Sequence, residues 1–224
     1  MRKLIENNIV IASHNVDKIH EMDSLIMPLG IMTTSALELN LIIPEETGNS
    51  FEENAMIKSL TAAKNAGMPA LSDDSGLVID VLDGKPGIHS ARWSESNTGE
   101  RDFDMAMQKI ENALRSKFAH DPAFRSAHFI SVLSLAWPDG HVENFSGKVS
   151  GIIVWPPRGQ LGFGYDPIFQ PNGYDRTFGE MTEEEKNGGI DSATLFSILS
   201  TDLLSHRARA FKCFVDNCLR IDEK

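Results

Sequence analysis

Ala-Leu-Ser-Asp-Asp-Ser-Gly, residues 70–76, decides how the rest of the chain is read. A short apolar segment, 68–71, leads into two adjacent carboxylates, and Ser75 and Gly76 are residue types that close turns. The expected arrangement is a strand that delivers Asp73 and Asp74 into a turn. Turns after strands are where α/β proteins place their chemistry. Neighbouring carboxylates repel each other, and holding them together calls for a cation or a shared proton. A solvated Asp-Ser-Gly turn would look the same in isolation. The surroundings favour a site: Glu45-Glu46 upstream, Lys58, and three further segments suited to phosphate or a purine base.

Outward from this stretch, strands alternate with helices. Residues 9–12 read as a strand and 13–18 as the loop after it. Ile19, Met22, Leu25, Ile26 and Leu29 mark one face of a helix that Gly30 ends. Ser50 and Glu53 have capping-box spacing at the start of a helix closed by Gly67, with Lys58 in its middle. Residues 77–82 read as a strand, 84–87 as a turn, and about 100–118 as a helix on Phe103, Met107, Ile110 and Leu114. Segments 127–137 and 141–145 form an expected hairpin around Pro138-Asp139-Gly140, and 148–155 a further strand. An α/β start joined to antiparallel pairs gives a mixed sheet. Residues 156–181 lack periodicity, yet Phe163, Tyr165, Phe169, Tyr174 and Phe178 argue for an ordered, functional loop. Thr182 and Glu185 mark another capped start, and a last helix covers about 205–219. Between them, Ala193, Phe196, Leu199 and Leu203 share one face of a short expected helix.

The bulk properties narrow the function classes. A chain of 224 residues with 41% hydrophobic and 24% charged residues reads as an ordinary globular protein, taken as one domain over 1–224. A net charge of −11 disfavours general nucleic-acid binding, which needs a basic face. No apolar run reaches the ~20 residues that span a bilayer, and the first residues turn polar too soon for a signal peptide. Cys213 and Cys218 fit reduced thiols of a cytoplasmic protein better than a zinc site.

Ser13-His14-Asn15-Val16-Asp17-Lys18 stands where a strand becomes a helix. Helix N-termini bind phosphate, although Ser and Asn are also ordinary caps. Glu45-Glu46 with Asp73-Asp74 gives an oxygen-only set suited to magnesium. In Gly162-Phe163-Gly164-Tyr165-Asp166, the rings can stack on a base and Asp166 can accept from a ring nitrogen; the same loop could pack on its own core. Lys186 follows an acidic turn. His206 and Arg207 place donors at a helix start, where the macrodipole disfavours cations, and that conflict points to function.

Taken in order, these strings resemble the inosine triphosphate pyrophosphatase family, also described as dITP/XTP pyrophosphatases. The pieces are Ser-His-Asn-Val-Asp-Lys (13–18), Glu-Glu-Thr-Gly-Asn-Ser-Phe-Glu-Glu-Asn-Ala (45–55) with Lys58, and Ser-Asp-Asp-Ser-Gly-Leu (72–77). Pro-Gly-Ile-His-Ser-Ala-Arg (86–92), Gly-Phe-Gly-Tyr-Asp-Pro-Ile-Phe (162–169), Met-Thr-Glu-Glu-Glu-Lys-Asn (181–187) and Ser-His-Arg-Ala-Arg-Ala (205–210) follow. Each piece is weak, but the ordered set is specific.

The resemblance implies an α/β fold with a long mixed sheet and two lobes around a central cleft. It implies magnesium-dependent hydrolysis of ITP, dITP and XTP to monophosphate and pyrophosphate, by a cytoplasmic homodimer that cleans the nucleotide pool. Carried over residue by residue, Ser13 to Lys18 and Lys58 would bind the phosphates, and Ser75 would contact substrate. Glu45 and Asp74 would hold the metal, with Glu46 and Asp73 close by, and Asp74 would be the base for a metal-bound water. Phe163, Gly164, Tyr165 and Asp166 would hold the base, with Lys186, His206 and Arg207 completing its pocket. Two departures stand out. Ser13 replaces a usual threonine, and residues 187–205 separate Lys186 from His206, which relatives bring nearly together. A pyrophosphatase for modified pyrimidine or guanine nucleotides, a nucleotide sensor without turnover, and a plain phosphatase are the rival readings.

Overall fold

The computed structural model describes residues 1–96, 98–188 and 203–219. Its centre is a six-stranded sheet in the order β2-β1-β3-β4-β5-β6. The strands are β1 (Asn8–Ile11), β2 (Met32–Ser35), β3 (Ala70–Ile79), β4 (Ser126–Ala136), β5 (Val142–Ile153) and β6 (Phe169–Pro171). β1 runs parallel to β2 and β3, whereas β3–β4, β4–β5 and β5–β6 are antiparallel. The α/β fold with a mixed sheet is therefore present, its parallel part confined to the N-terminal strands.

Among the described residues the flanking helices are α1 (Val16–Ile26), α2 (Phe51–Ala66), α3 (Ser90–Trp93), α4 (Phe103–Ser116), α5 (Glu183–Asn187) and α6 (His206–Cys218). Local chemistry explains their ends. Ser50 Oγ accepts from the Glu53 amide to cap α2, and Gly67 ends it in the left-handed region at φ 66°. Glu53 reaches back to the Asn49 amide at 2.6 Å, one residue before the cap. Thr182 and Glu185 form a reciprocal capping box at α5, and Ser205 caps α6 by accepting from the Ala208 amide. α1 stops at Ile26, and a 3-10 turn over Met27–Leu29, entered through Pro28, carries the chain to Gly30. α4 begins at Phe103 because Asp102 caps it.

Three sequence expectations change. Residues 70–76 form no turn: Asp73 and Asp74 lie mid-strand in β3, which pairs along its whole length with β4, from Ala70↔Ala136 to Ile79↔Ala127. A continuous ladder outweighs the turn preference of Asp, Ser and Gly. The strand expected at 77–82 is the second half of β3, and Asp80–Leu82 is a 3-10 turn. Segments 141–145 and 148–155 merge into β5, because Gly147 stays in the ladder opposite Ser131. β2, a polar edge strand of sequence Met-Thr-Thr-Ser, carries no alternating apolar signal and was not anticipated. The short helix expected on Ala193, Phe196 and Leu199 lies outside the described residues.

Side chains alternate along a strand, so β3 serves two environments. Leu71 packs with α1 and α6 residues in one apolar cluster, and Leu77 and Ile79 pack with α4 in a second. Asp73 and Ser75 occupy the interval between them on that face. On the opposite face α2 brings Ala62 and Ala63 against Val10, Ala70 and Ala136, and Asp74 points to α2. Among the described residues no helix is long and apolar enough to cross a membrane. Cys213 and Cys218, both on α6, are free cysteines not joined in a disulfide.

Candidate active site

A cleft of about 740 Å³ gathers the predicted residues, a size typical of small-molecule sites. Ser13, His14, Asn15, Asp17 and Lys18 border it, as do Glu46, Lys58, Asp73, Asp74 and Ser75. Phe163, Gly164, Tyr165, Asp166, Lys186, His206 and Arg207 close its other end. Val16 and Glu45 stand outside it, both exposed.

On the α2 side, two carboxylates share one ammonium. Lys58 Nζ lies 2.7 Å from Glu46 Oε1 and 2.9 Å from Asp74 Oδ1. Burial pulls Lys58 down, but Asp74 and Glu46 outweigh that and keep it firmly charged. One positive charge cannot satisfy both acids. Burial pushes the Asp74 carboxyl above the usual carboxylate range even with Lys58 beside it, and Asp74 Oδ2 is buried with no hydrogen-bond partner among the described residues. The loop that carries Glu46 is pinned by His14, whose Nε2 meets the Leu41 carbonyl at 2.9 Å, and by Arg92, whose Nη2 donates to the Glu46 carbonyl at 3.2 Å.

On the α6 side, Asp73 is saturated. Oδ1 accepts from Ser131 Oγ at 2.6 Å. Oδ2 meets Lys18 Nζ at 2.7 Å, Ser75 Oγ at 2.9 Å and Arg207 Nη2 at 3.4 Å. Burial would raise this carboxyl, but Arg207 and Lys18 overturn that and hold it well below the usual range. Arg207 also pairs through Nη1 with Glu21 and donates to Ser75 Oγ at 3.0 Å. Two acids and two bases therefore balance here, which resolves the conflict between a cation and the N-terminus of α6. Glu21 was not foreseen: a single glutamate beside the apolar face of α1 gives no sequence signal for burial against Arg207. Ser131, an alternating strand position, is silent in the same way.

The far end of the cleft is aromatic. The Phe163 ring is partly exposed and lies 5.8 Å from the Arg207 guanidinium. Gly162 has φ +74°, and a Cβ there would collide with Asp166 Oδ2, so the loop folds tightly onto that carboxylate. Asp166 pairs with Lys186 at 3.0 Å. The Tyr165 hydroxyl is spent on the Ser90 carbonyl at 2.7 Å, and its ring packs edge-on against Phe103, so it braces the loop. His206 stacks on Phe129 with centroids 4.9 Å apart. Burial, reinforced by Arg207, holds His206 well below its ordinary range and so keeps it neutral. Among the described residues, His206 Nδ1 and Arg207 Nε are buried without partners.

The long segment between Lys186 and His206 does not separate them in space. The Lys186 carbonyl accepts from the amides of Leu204 (3.1 Å) and Ser205 (2.8 Å), and Ser205 Oγ meets Asn187 Oδ1 at 2.7 Å.

Comparison with known proteins gives the family. Residues 9–217 match the Ham1 family. The chain is 58% identical over 219 residues to the dITP/XTP pyrophosphatase of Rhizobium meliloti, covering 98% of this chain and 99% of that one. It is 59% identical over 219 residues to the enzyme of the same name from Agrobacterium fabrum, with the same coverage. Among solved structures, a HAM1 protein from Coxiella burnetii superposes with a TM-score of 0.76 at 37% identity, over 92% of this chain and 94% of the other. The Staphylococcus aureus Ham1 protein gives 0.74 at 33% identity, over 93% and 98%. Sequence likeness over nearly its whole length and a shared fold place the chain in the Ham1 family.

Proposed function

We propose that the chain hydrolyses the triphosphates of deaminated purines (ITP, dITP and XTP) to monophosphate and pyrophosphate. The activity named for its bacterial relatives supports this, and the observation that carries it is Asp74. A buried carboxylate with an unpartnered oxygen, short of positive charge and facing a nucleotide-sized cleft, suits a base acting on water.

Magnesium fits the donor set. The orphaned Asp74 Oδ2 and Glu46, which shares Lys58 with it, would hold the ion, and hard oxygen donors are what it takes; Glu45 stands outside the cleft. Asp73 would not, since both its oxygens already have partners. Among the described residues no three His, Cys, Asp or Glu side chains group to hold a metal alone, so substrate phosphates would complete the coordination. The bound ion would neutralise charge on the phosphate oxygens.

Asp74 takes a proton from the attacking water, and Lys58 and Lys18 meet the phosphates from the two sides of β3. Positioning and charge neutralisation are most of what phosphoryl transfer requires. At the other end the base lies against Phe163. Neutral His206, in the tautomer that protonates Nδ1, and Arg207 Nε would donate to a 6-keto oxygen. Adenine's 6-amino group would face them donor to donor and leave them unpaired. The same reading carries a homodimer in the cytoplasm, the first part testable by sedimentation.

Pyrophosphate release measured with ITP, XTP, dITP, ATP and GTP under magnesium tests the proposal. ITP is expected to exceed ATP in kcat/KM by on the order of 10²-fold or more. Equal rates on the two would contradict the base assignment, and orthophosphate as product would mark a plain phosphatase.

A further inference from the structure

Ser75, Ser131 and Gly147 are registered neighbours across β3, β4 and β5. They form a row of small residues on the face that receives α6, and the first turn of that helix lies over it. Arg207 Nη2 reaches Ser75 Oγ at one end. At the other, the helix backbone sits directly on Gly147. A Cβ there would collide with the His206 carbonyl oxygen and the Ala210 amide nitrogen, and would come within 2.8 Å of Arg209 Cβ. Both backbone atoms belong to the turn that carries His206 and Arg207. Arg209 fastens that turn from the solvent side: its Nη1 donates to the Lys148 carbonyl and its Nε to the Leu203 carbonyl, each at 2.7 Å.

We propose that Gly147 and Arg209 are positioning residues for purine recognition. Gly147 sets how deeply the first turn of α6 settles on the sheet, and Arg209 holds it there. Neither touches substrate. They act through His206 Nδ1 and Arg207 Nε, two buried nitrogens at the base end with no partner among the described residues. The inference rests on the purine triphosphate reading above. The collision involves backbone on both partners, so a side chain at 147 cannot be accommodated by a rotamer change; the helix turn must lift. The phosphate end is held by α1 and by Lys58 of α2; it meets this turn only through Asp73 Oδ2, which Lys18 shares with Arg207, and through Glu21. Lys18 keeps its own pair with Asp73, so lifting the turn should disturb the phosphate end far less than the base end.

The test compares Gly147→Ala and Arg209→Ala with Val215→Ala, a buried truncation at the other end of the same helix. ITP kinetics report on the whole substrate, and inhibition by tripolyphosphate reports on the phosphate end alone. Displacement of contacts by about 1 Å can cost up to ~10²-fold. Gly147→Ala is therefore expected to raise the KM for ITP about tenfold or more and to narrow the ITP-over-ATP ratio by a similar factor. Arg209→Ala should do the same about threefold. Tripolyphosphate inhibition should stay within about twofold in both, by the same geometric argument. Val215→Ala should lower stability without changing the ratio.

An unchanged KM and ratio in folded Gly147→Ala would overturn the proposal. So would tripolyphosphate inhibition weakening in step with ITP, or the same selective shift in Val215→Ala. If Gly147→Ala does not fold, Arg209→Ala, on an exposed side chain, decides by the same criteria. Hydrogen exchange of amides 206–210 without ligand gives a reading independent of turnover. Faster exchange in Gly147→Ala or Arg209→Ala, but not in Val215→Ala, supports the seat, and unchanged exchange overturns it. A wild-type protein inactive on ITP would instead condemn the substrate reading alone.

Discussion

Asp73 and Asp74 are consecutive residues of one strand, yet they live in opposite electrostatic worlds. Asp73 faces α6 and has Lys18, Arg207, Ser75 and Ser131 around its two oxygens. Asp74 faces α2, shares Lys58 with Glu46, and keeps one oxygen with no partner. Their carboxyls shift in opposite directions for that reason, Asp73 downward and Asp74 upward. The period-two alternation of a β-strand sorts a repulsive pair into an anchor and a reactive group without any turn between them. What an acid does here follows from how completely its charge is met.

The sharpest way to break this comparison is to neutralise the reactive member. Asp74→Asn keeps the shape and removes the base, so kcat is expected to fall by about 10²–10⁴-fold, with the KM for ITP changed only a few-fold. Pyrophosphate release under saturating magnesium reads it, and near-normal turnover would remove Asp74 from the mechanism. Asp73→Asn should act first on stability. It leaves Lys18 without its partner and Arg207 with Glu21 alone in a buried setting, where breaking a paired charge costs about 3–5 kcal/mol. At roughly 2–4 °C per kcal/mol for a chain of this size, Tm should drop on the order of 10 °C. A thermal scan that left Asp73→Asn at the wild-type Tm would mean the network is not an anchor.

A smaller effect sharpens the contrast through pH. The native state holds Asp73 below its unfolded pKa of about 3.9, so it binds this proton less tightly than the unfolded chain does. The carboxyl therefore contributes stability above about pH 4, and that contribution is lost as pH falls through the lower native value. The Tm gap between wild type and Asp73→Asn should accordingly be full near neutrality and shrink as pH drops below about 4. A gap that does not change with pH would show that the loss is steric.

Much of this was legible in the sequence, for local reasons. Ser50, Thr182 and Ser205 announce their helices because capping is decided within one turn. The predicted site residues from Ser13 to Arg207 border one cleft, with Val16 and Glu45 outside it. What stayed hidden depends on distant partners. Asp-Asp-Ser-Gly reads as a turn by composition, and only the ladder with β4 makes it a strand. Which carboxylate faces which helix cannot be read until that strand exists. Glu21 lies far along the chain from Arg207, and Ser131 from Asp73, so neither contact leaves a trace in spacing. Gly147 falls between the segments expected at 141–145 and 148–155, and its role is not legible there because the helix that requires it comes much later in the chain.

Metal affinity tests the division between the two acids most directly, because it needs neither substrate nor turnover. Manganese can stand in for magnesium and be titrated by its paramagnetic signal into wild type, Asp74→Asn and a folded Asp73→Asn at neutral pH. Losing a direct ligand or its support typically costs about 10–100-fold in affinity. The expected result is a loss of that order for Asp74→Asn and a change within a few-fold for Asp73→Asn. An Asp73→Asn protein that loses manganese as severely as Asp74→Asn would contradict the account, because the saturated carboxylate would then be holding the ion.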